Sequence, residues 1–221
     1  MDIFKAKVDQ EVVSLHNHYR IERFFERSPD GDLRSVFGQR MMLVSEDFIL
    51  GYQVALEEEL GDAAGDIMYR CGFEWGAADM RGFADRFAAQ FGTAIHEANF
   101  GMMLESWWWP LQAAGWGAWR YDLSHRKEGL IYVDLYDSAV AKSIGNVGKV
   151  VCHYYAGMFA AVFSHLAKRE LSGIEIQCYS MGEDFCKFVI GSSKRINAAQ
   201  FFWVSAAEGG RRAPAGAARS R

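Results

Sequence analysis

The chain has 221 residues, 50% of them hydrophobic and 14% aromatic, and a formal charge of −4. That length allows one domain with a sizeable core, and the apolar content excludes disorder for the body of the chain. Residues 208–221 carry net +3 and the rest −7, which argues against nucleic acid as the partner, because phosphate binding needs clustered Lys and Arg.

The first residues, MDIFKAKVDQEVV, have no uninterrupted apolar region of the signal-peptide kind. No run of about 18 apolar residues is present to span a membrane. A cytoplasmic location is therefore expected, where thiols stay reduced and cysteines more often bind metal or do chemistry.

Residues 8–27 space Val12, Leu15, Tyr19, Phe24 and Phe25 for one loose apolar stripe and predict a helix. His16 and His18 lie on it without a partner at helical spacing and read as solvent-facing. Residues 28–34 (SPDGDLR) are a turn-rich connector, and RSVFGQRMMLV is a short strand or extended segment. Ser45 reads as an N-cap with Glu46 and Asp47 in the first turn of a helix reaching Leu60. Gly61-Asp62 breaks it, and a longer helix follows over 63–90. Gly65, Gly72, Gly76 and Gly82 each cost that helix stability, so close packing or a bend is expected to account for some of them. Cys71 on the same helix reads as a buried small hydrophobe.

After a loop with His96, a helix is predicted over 101–115. Its consecutive Trp107, Trp108 and Trp109 fan over about 200°, so at least one must meet a partner surface, a ligand or the edge of a cavity. Pro110 predicts a kink or a second helix start. Residues 116–124 and 129–138 read as strands of an antiparallel hairpin. The connector around Gly145, Gly148 and Lys149 is no phosphate-binding loop, since the glycines are too close and no Ser or Thr follows the Lys. A helix over 149–168, strands in GIEIQCYS and DFCKFVIG, and a last helix over 193–204 complete the pattern, with a disordered basic tail behind them.

Three of the four cysteines fall between Cys152 and Cys186. Cys178 and Cys186 are equidistant from Gly182, so a hairpin turning there sets their Cβ atoms about 4.5–5.5 Å apart. Cys152 near a helix start gains from the amide dipoles, and Glu175 completes four donors suited to a closed, sulfur-rich metal site. On a regular strand Glu175 and Cys178 would face opposite sides, so a bulge or a strand end is needed to bring both to one metal. The residues alone leave two readings, a zinc site or a set of reduced core cysteines.

The segment AGMFAAVFSHLAKRELSGIEIQCYSMGEDFCKFVIG resembles the C-terminal signature of the vinyl-4-reductase domain family: an aromatic Gly-Ala helix, a strand of E-x-x-C type, a Gly-acidic turn and C-x-F-x-I. Sensor domains of phenol-responsive transcriptional activators belong to that family and bind zinc through a Cys, a Glu and two further Cys. Cys152, Glu175, Cys178 and Cys186 meet their C-x22-E-x2-C-x7-C spacing. Upstream, YRCGFEWG, AAGWGAWRYDLS and VDLYDSAVAKS are similar to the family's earlier blocks. The resemblance implies an α+β fold, an antiparallel sheet flanked by helices and similar to the TRAPP vesicle-tethering subunits, with a structural Zn(2+) and a homodimeric state. It divides the chain into an N-terminal helical extension (1–34), a ligand-binding domain (35–205) and a basic tail (206–221). The sensors hold the phenol hydroxyl with a His and a Trp; their positions fall here among Met103 to Trp109 and at Leu135, so simple phenol is not the expected ligand. A complete activator, with ATPase and DNA-binding output domains, is not expected.

Three functions remain. The first is a sensor or carrier for a hydrophobic or aromatic molecule, with a pocket lined by Tyr69, Phe73, Trp75, His96, Met103, Trp107, Trp108, Trp116, Trp119 and Leu135. Arg70, His96, Glu105 and Arg120 are its candidate polar anchors. The second is a tetrapyrrole (bacteriochlorophyll) biosynthesis factor or 4-vinyl reductase. Reduction needs a hydride or electron source, and the chain has neither a G-x-G-x-x-G fingerprint nor Fe–S cysteine spacing, so catalysis by it alone is not expected. A zinc with four protein ligands also lacks the open position that hydrolysis requires. The third is a dimeric interaction scaffold.

Overall fold

The computed structural model describes residues 24–35 and 37–197. Most of the helix expected over 8–27, with His16 and His18, lies outside these residues, as do the end of the last helix and the tail. The described end of that first stretch is not helical: Phe25–Arg27 (β1) pairs antiparallel with Leu33–Ser35 (β2). Pro29 disfavours helical backbone at Ser28, and Gly31 at φ 79° closes the turn between the two strands.

Glu46–Leu60 (α1) and Ala63–Phe91 (α2) follow, separated at Gly61, whose φ is 58°. Ser45 stands at the N-cap of α1 but makes no side-chain cap bond. Phe100–Ala113 (α3) is capped by Asn99, whose side chain accepts the Met102 amide at 3.1 Å. The helix runs through Pro110 to Ala113 without a second start. Pro110 sits in its last turn, so the lost ladder bond costs little there.

The hairpin Ala118–Asp122 (β3) and Leu130–Tyr136 (β4) is as expected, joined through a short 3-10 turn at Arg126–Glu128. A short helix, Ala139–Ile144 (α4), occupies what reads in sequence as strand end and connector; Ser138 caps it by accepting the Ala141 amide. His153–Ala167 (α5), Ser172–Gln177 (β5) and Cys186–Gly191 (β6) complete the described elements, with a 3-10 turn at Tyr179–Met181 between the last two.

The architecture is α+β. The main sheet is antiparallel in the order β3-β4-β6-β5. One face presents Val133, Leu135, Cys186, Phe188 and Ile190, all fully buried. The other carries the cross-strand pair Lys187–Asp134 at 3.2 Å. Alternation of this kind is what an antiparallel sheet with one packed face demands.

Helix α5 lies against the buried face, and its residues Tyr155 to Phe163 are all buried, as a helix covered on both sides must be. Its other side is covered by α2, and glycine permits the approach. A Cβ on Gly72 would stand 1.9 Å from the Tyr154 carbonyl oxygen, and one on Gly157 would stand 2.0 Å from that of Tyr69. Close packing therefore accounts for two of the helix-weakening glycines of α2, since a Cβ on Gly76 would likewise meet the Met158 carbonyl at 2.8 Å. The buried face of α2 runs through Met68, Gly72, Gly76, Met80, Phe83 and Phe87. Cys71 falls off that stripe and is exposed, not buried as its apolar neighbours suggested.

Candidate metal centre and ligand cavity

Cys152, Glu175, Cys178 and Cys186 converge, all buried, with one donor atom from each lying within 4.8 Å of the others. Three elements and the turn between two of them deliver the donors. Cys152 is the N-cap of α5, Glu175 lies on β5, Cys178 caps the 3-10 turn, and Cys186 opens β6.

The parity problem on β5 is solved by a bulge. Glu175 pairs with Phe188 and Gln177 with Lys187, so Ile176 is the extra residue. Glu175 thus shares the inward face with Phe188, and the shift returns Cys178 to the side of Cys186. The Cys178 and Cys186 sulfurs are 3.5 Å apart, and those of Cys152 and Cys186 are 3.8 Å apart. The turn is clamped from outside: Val147 and Gly148 donate their amides to the Ser180 carbonyl at 2.9 and 2.7 Å.

Glu175 has two jobs. Its Oε2 accepts the amides of Val151 at 3.1 Å and Cys152 at 2.8 Å, fixing the entry to α5. Its Oε1 is buried with no hydrogen-bond partner. A buried carboxylate oxygen left unpaired is costly, and one aimed into a cluster of sulfurs is suited to a cation.

The electrostatics agree. Burial pushes the Cys152 thiol well above its usual range, outweighing the helix start behind it, and burial likewise raises the Glu175 carboxyl. Cys178 moves the other way, because hydrogen bonds from Cys152 and Cys186 hold its thiolate. Four buried acids this close cannot all ionise unaided. A divalent cation among them removes that conflict, and the donor set present fits one.

None of the four donors lines the principal cavity, which has a volume of about 510 Å³. Its walls are Trp75, Asp79, Phe83 and Arg86 along one stripe of α2, Trp107, Pro110 and Leu111 of α3, and Tyr154 and Tyr155 of α5. Phe24, Phe37 and the extended residues 40–44 close the far side, and Ile49 of α1 borders it. Met42 and Leu43 are more than half exposed at this border. Inside, Trp75 and Trp116 stack at 5.3 Å, and Trp107 Nε1 donates to Asp79 Oδ2 at 2.9 Å.

Of the residues expected to form a pocket, Trp75, Trp107 and Trp116 line this cavity. Met103, Trp108, Trp119 and Leu135 are packed in the core instead, where Trp108 stacks on Trp119 at 4.9 Å and Trp119 on Phe159 at 6.0 Å. Tyr69 and Phe73 border a separate, smaller recess of about 230 Å³ with Arg70 and Glu170. His96 is exposed in a 3-10 turn. Glu105 and Arg120 are exposed too, and Arg120 lies over the Tyr136 ring at 5.2 Å. The tryptophan run offers no bare partner surface: Trp107 and Trp108 are buried, and Trp109 packs edge-on against Phe24 at 5.2 Å.

Asp79, Phe83, Arg86, Leu111 and Tyr154 line the cavity without being among the expected pocket residues. The signal was present on α2, where positions 75, 79, 83 and 86 follow helical spacing and set two opposite charges within an aromatic stripe.

Comparisons with known proteins place these features in context. A sequence model of the vinyl-4-reductase domain matches residues 131–192, the part that holds all four clustered donors, so the resemblance read from the sequence holds. Two uncharacterized proteins of Methanocaldococcus jannaschii match at 27% identity over 64 residues and 30% over 63, covering 29% and 28% of this chain. The matched part spans only 37% and 39% of those relatives' own length. The phenol-responsive sensory domain of the transcription activator PoxR, solved with phenol, has a TM-score of 0.63 at 19% identity, over 84% of this chain and 94% of that domain. A vinyl-4-reductase family protein of M. jannaschii gives 0.46 at 15% identity over 80% and 88%. A trafficking protein particle complex subunit 3 of Naegleria fowleri, covalently bound to palmitic acid, gives 0.49 at 11% over 66% and 93%. At 19% identity, what the chain shares with the PoxR sensory domain is the fold. No helix among the described residues is long and apolar enough to cross a membrane.

Proposed function

We propose that this chain is a metal-stapled ligand-binding module, a sensor or carrier, in which Cys152, Glu175, Cys178 and Cys186 hold one zinc ion and the aromatic cavity takes a hydrophobic or aromatic molecule. The observation that carries the reading is the division of labour between a closed cluster of four buried donors and a separate cavity of about 510 Å³ bordered by Trp75, Trp107 and Trp116. A volume of that size suits a small organic ligand, and the likeness to a sensory domain solved with phenol supports an aromatic one.

Sulfur-rich ligation favours zinc over magnesium or calcium. Four protein donors leave no position for a reactive water, so when bound the ion supplies structural cross-linking and charge neutralisation. Glu175 orients Val151 and Cys152 through their amides, and the Cys178 turn and β6 present the two remaining sulfurs. Nothing in this arrangement asks for catalysis.

Metal analysis and calorimetry test the two halves separately. The purified protein is expected to hold one zinc per chain and to bind 2-naphthol. Ala114→Trp, placed where Ala114 borders the cavity, is expected to abolish that binding and leave the zinc. Substoichiometric metal removes the staple from the reading, and unchanged naphthol binding in Ala114→Trp removes the cavity. A Soret band in the absorption spectrum assigns the cavity to a tetrapyrrole instead.

A further inference from the structure

The cavity is not uniformly apolar. Of the charged side chains at its walls, Arg40 and Glu46 belong to the outer border, and Arg40 faces Asp32 at 3.6 Å. Asp79 and Arg86 lie deeper, on the α2 stripe. Asp79 is engaged by the Trp107 indole. Arg86 is not engaged in the same way: no ion pair forms between it and Asp79 or any other described residue, and its Nε is buried without a hydrogen-bond partner.

What holds Arg86 in place is packing. Its guanidinium lies over the Phe37 ring at 4.8 Å from the centroid, an interaction that uses one face of the group and none of its in-plane donors. The side chain also folds back along α2 over Gly82, where a Cβ would stand 2.9 Å from Nη1. Gly82 therefore has a local purpose: it leaves room for the guanidinium to lie along the helix and border the cavity.

Resting on the ligand-binding reading above, we propose that Arg86 is the specificity-determining residue of the cavity and that the ligand is an aromatic monocarboxylate of one or two rings. A packed guanidinium at the cavity wall, in no ion pair with a described residue, offers a carboxylate charge-assisted hydrogen bonds, and the stacked Trp75–Trp116 pair with Phe83 and Trp107 supplies the ring contacts. Asp79 acts on Arg86 only at a distance: its carboxylate accepts the Trp107 indole hydrogen bond and makes no ion pair with the guanidinium, while its charge favours the protonated arginine. Burial pushes the Asp79 carboxyl above the usual carboxylate range, against the Trp107 hydrogen bond and the Arg86 charge. Burial also lowers Arg86 from its ordinary value, yet an arginine stays protonated in a protein.

Isothermal titration of the metal-loaded protein with 2-naphthoate and its neutral counterpart 2-naphthamide tests this. Wild type is expected to prefer naphthoate by about 30-fold, the range of one desolvated charge-assisted pair. Arg86→Gln is expected to bring the two compounds to equal affinity, chiefly by weakening naphthoate, and Arg86→Lys to restore part of the preference. Gly82→Ala, a change that favours helix and disturbs only the far end of Arg86, is expected to lower naphthoate affinity several-fold and leave naphthamide unchanged; it serves also if Arg86→Gln folds poorly. Equal binding of both compounds to wild type, or a preference that survives Arg86→Gln, overturns the role of Arg86 and leaves the cavity reading intact. Binding of neither compound overturns the cavity reading and this inference with it.

Discussion

Cys178→Ala is expected to release the metal and lower the melting temperature by about 10 °C. The four donors come from separate parts of the chain, so losing one opens the closed set and leaves Cys152, Cys186 and Glu175 as buried acids without a counter-charge. Structural zinc binding is folding free energy, because the site does not exist in the unfolded chain. A net loss of ~4 kcal/mol, well below the full binding energy of such sites, moves the midpoint by roughly 8–16 °C for a domain of this size. Metal quantification and a thermal melt with and without chelator check it. Glu175→Gln sharpens the comparison, since it keeps an acceptor for the Val151 and Cys152 amides and removes the anionic oxygen; it is expected to weaken metal retention with less loss of stability. A Cys178→Ala melt within about 2 °C of the metal-loaded wild type would mean that the cluster is an ordinary core.

Gly72→Ala and Gly157→Ala are expected to be the most damaging glycine-to-alanine changes among the described residues. By helix propensity alone each change is worth about 1 kcal/mol in favour of the folded state. Against that, the new Cβ would lie 1.9 Å from the Tyr154 carbonyl oxygen in one case and 2.0 Å from that of Tyr69 in the other. Backbone oxygen cannot rotate away as a side chain can, so α2 and α5 would have to separate along a seam that is buried on both sides. The cost is at or above the upper end of the ~1–3 kcal/mol usual for overpacking, and it wins. Gly51→Ala is the control: it lies in α1 with open space around its Cβ position, and it is expected to gain ~0.4–1 kcal/mol. Urea titration of the three variants decides the matter, and a neutral Gly72→Ala would show that the helices have slack to move apart.

These two sites also mark what was legible in the sequence. The extents of α1 and α2, the β3–β4 hairpin and the four clustered donors follow from periodicity, turn residues and cysteine spacing, all of which act locally, whereas the α+β class came with the family resemblance. The parity of Glu175 and Cys178 asks for a bulge or a strand end, and the structure has a bulge at Ile176 with Cys178 just past the end of β5. The strand at Phe25–Arg27 was misread because Phe24 and Phe25 fit a helical stripe, while the Pro29 turn and pairing with Leu33–Ser35 decided otherwise. Cys71 was misplaced by a single position on its helix, since a rotation of about 100° per residue separates it from the buried Gly72. The cavity was the least readable part. Tryptophans build both its walls and the core, and only the chain's long-range path separates Trp107, at the cavity, from Trp119, in the interior.

The segment matched by the vinyl-4-reductase domain, 131–192, contributes all four clustered donors but only Ala139, Val140, Tyr154 and Tyr155 to the cavity. Every other described residue that borders the cavity comes before it. Substitutions in α2, α3 and the 37–46 segment can therefore reshape the cavity without touching any of the four donors.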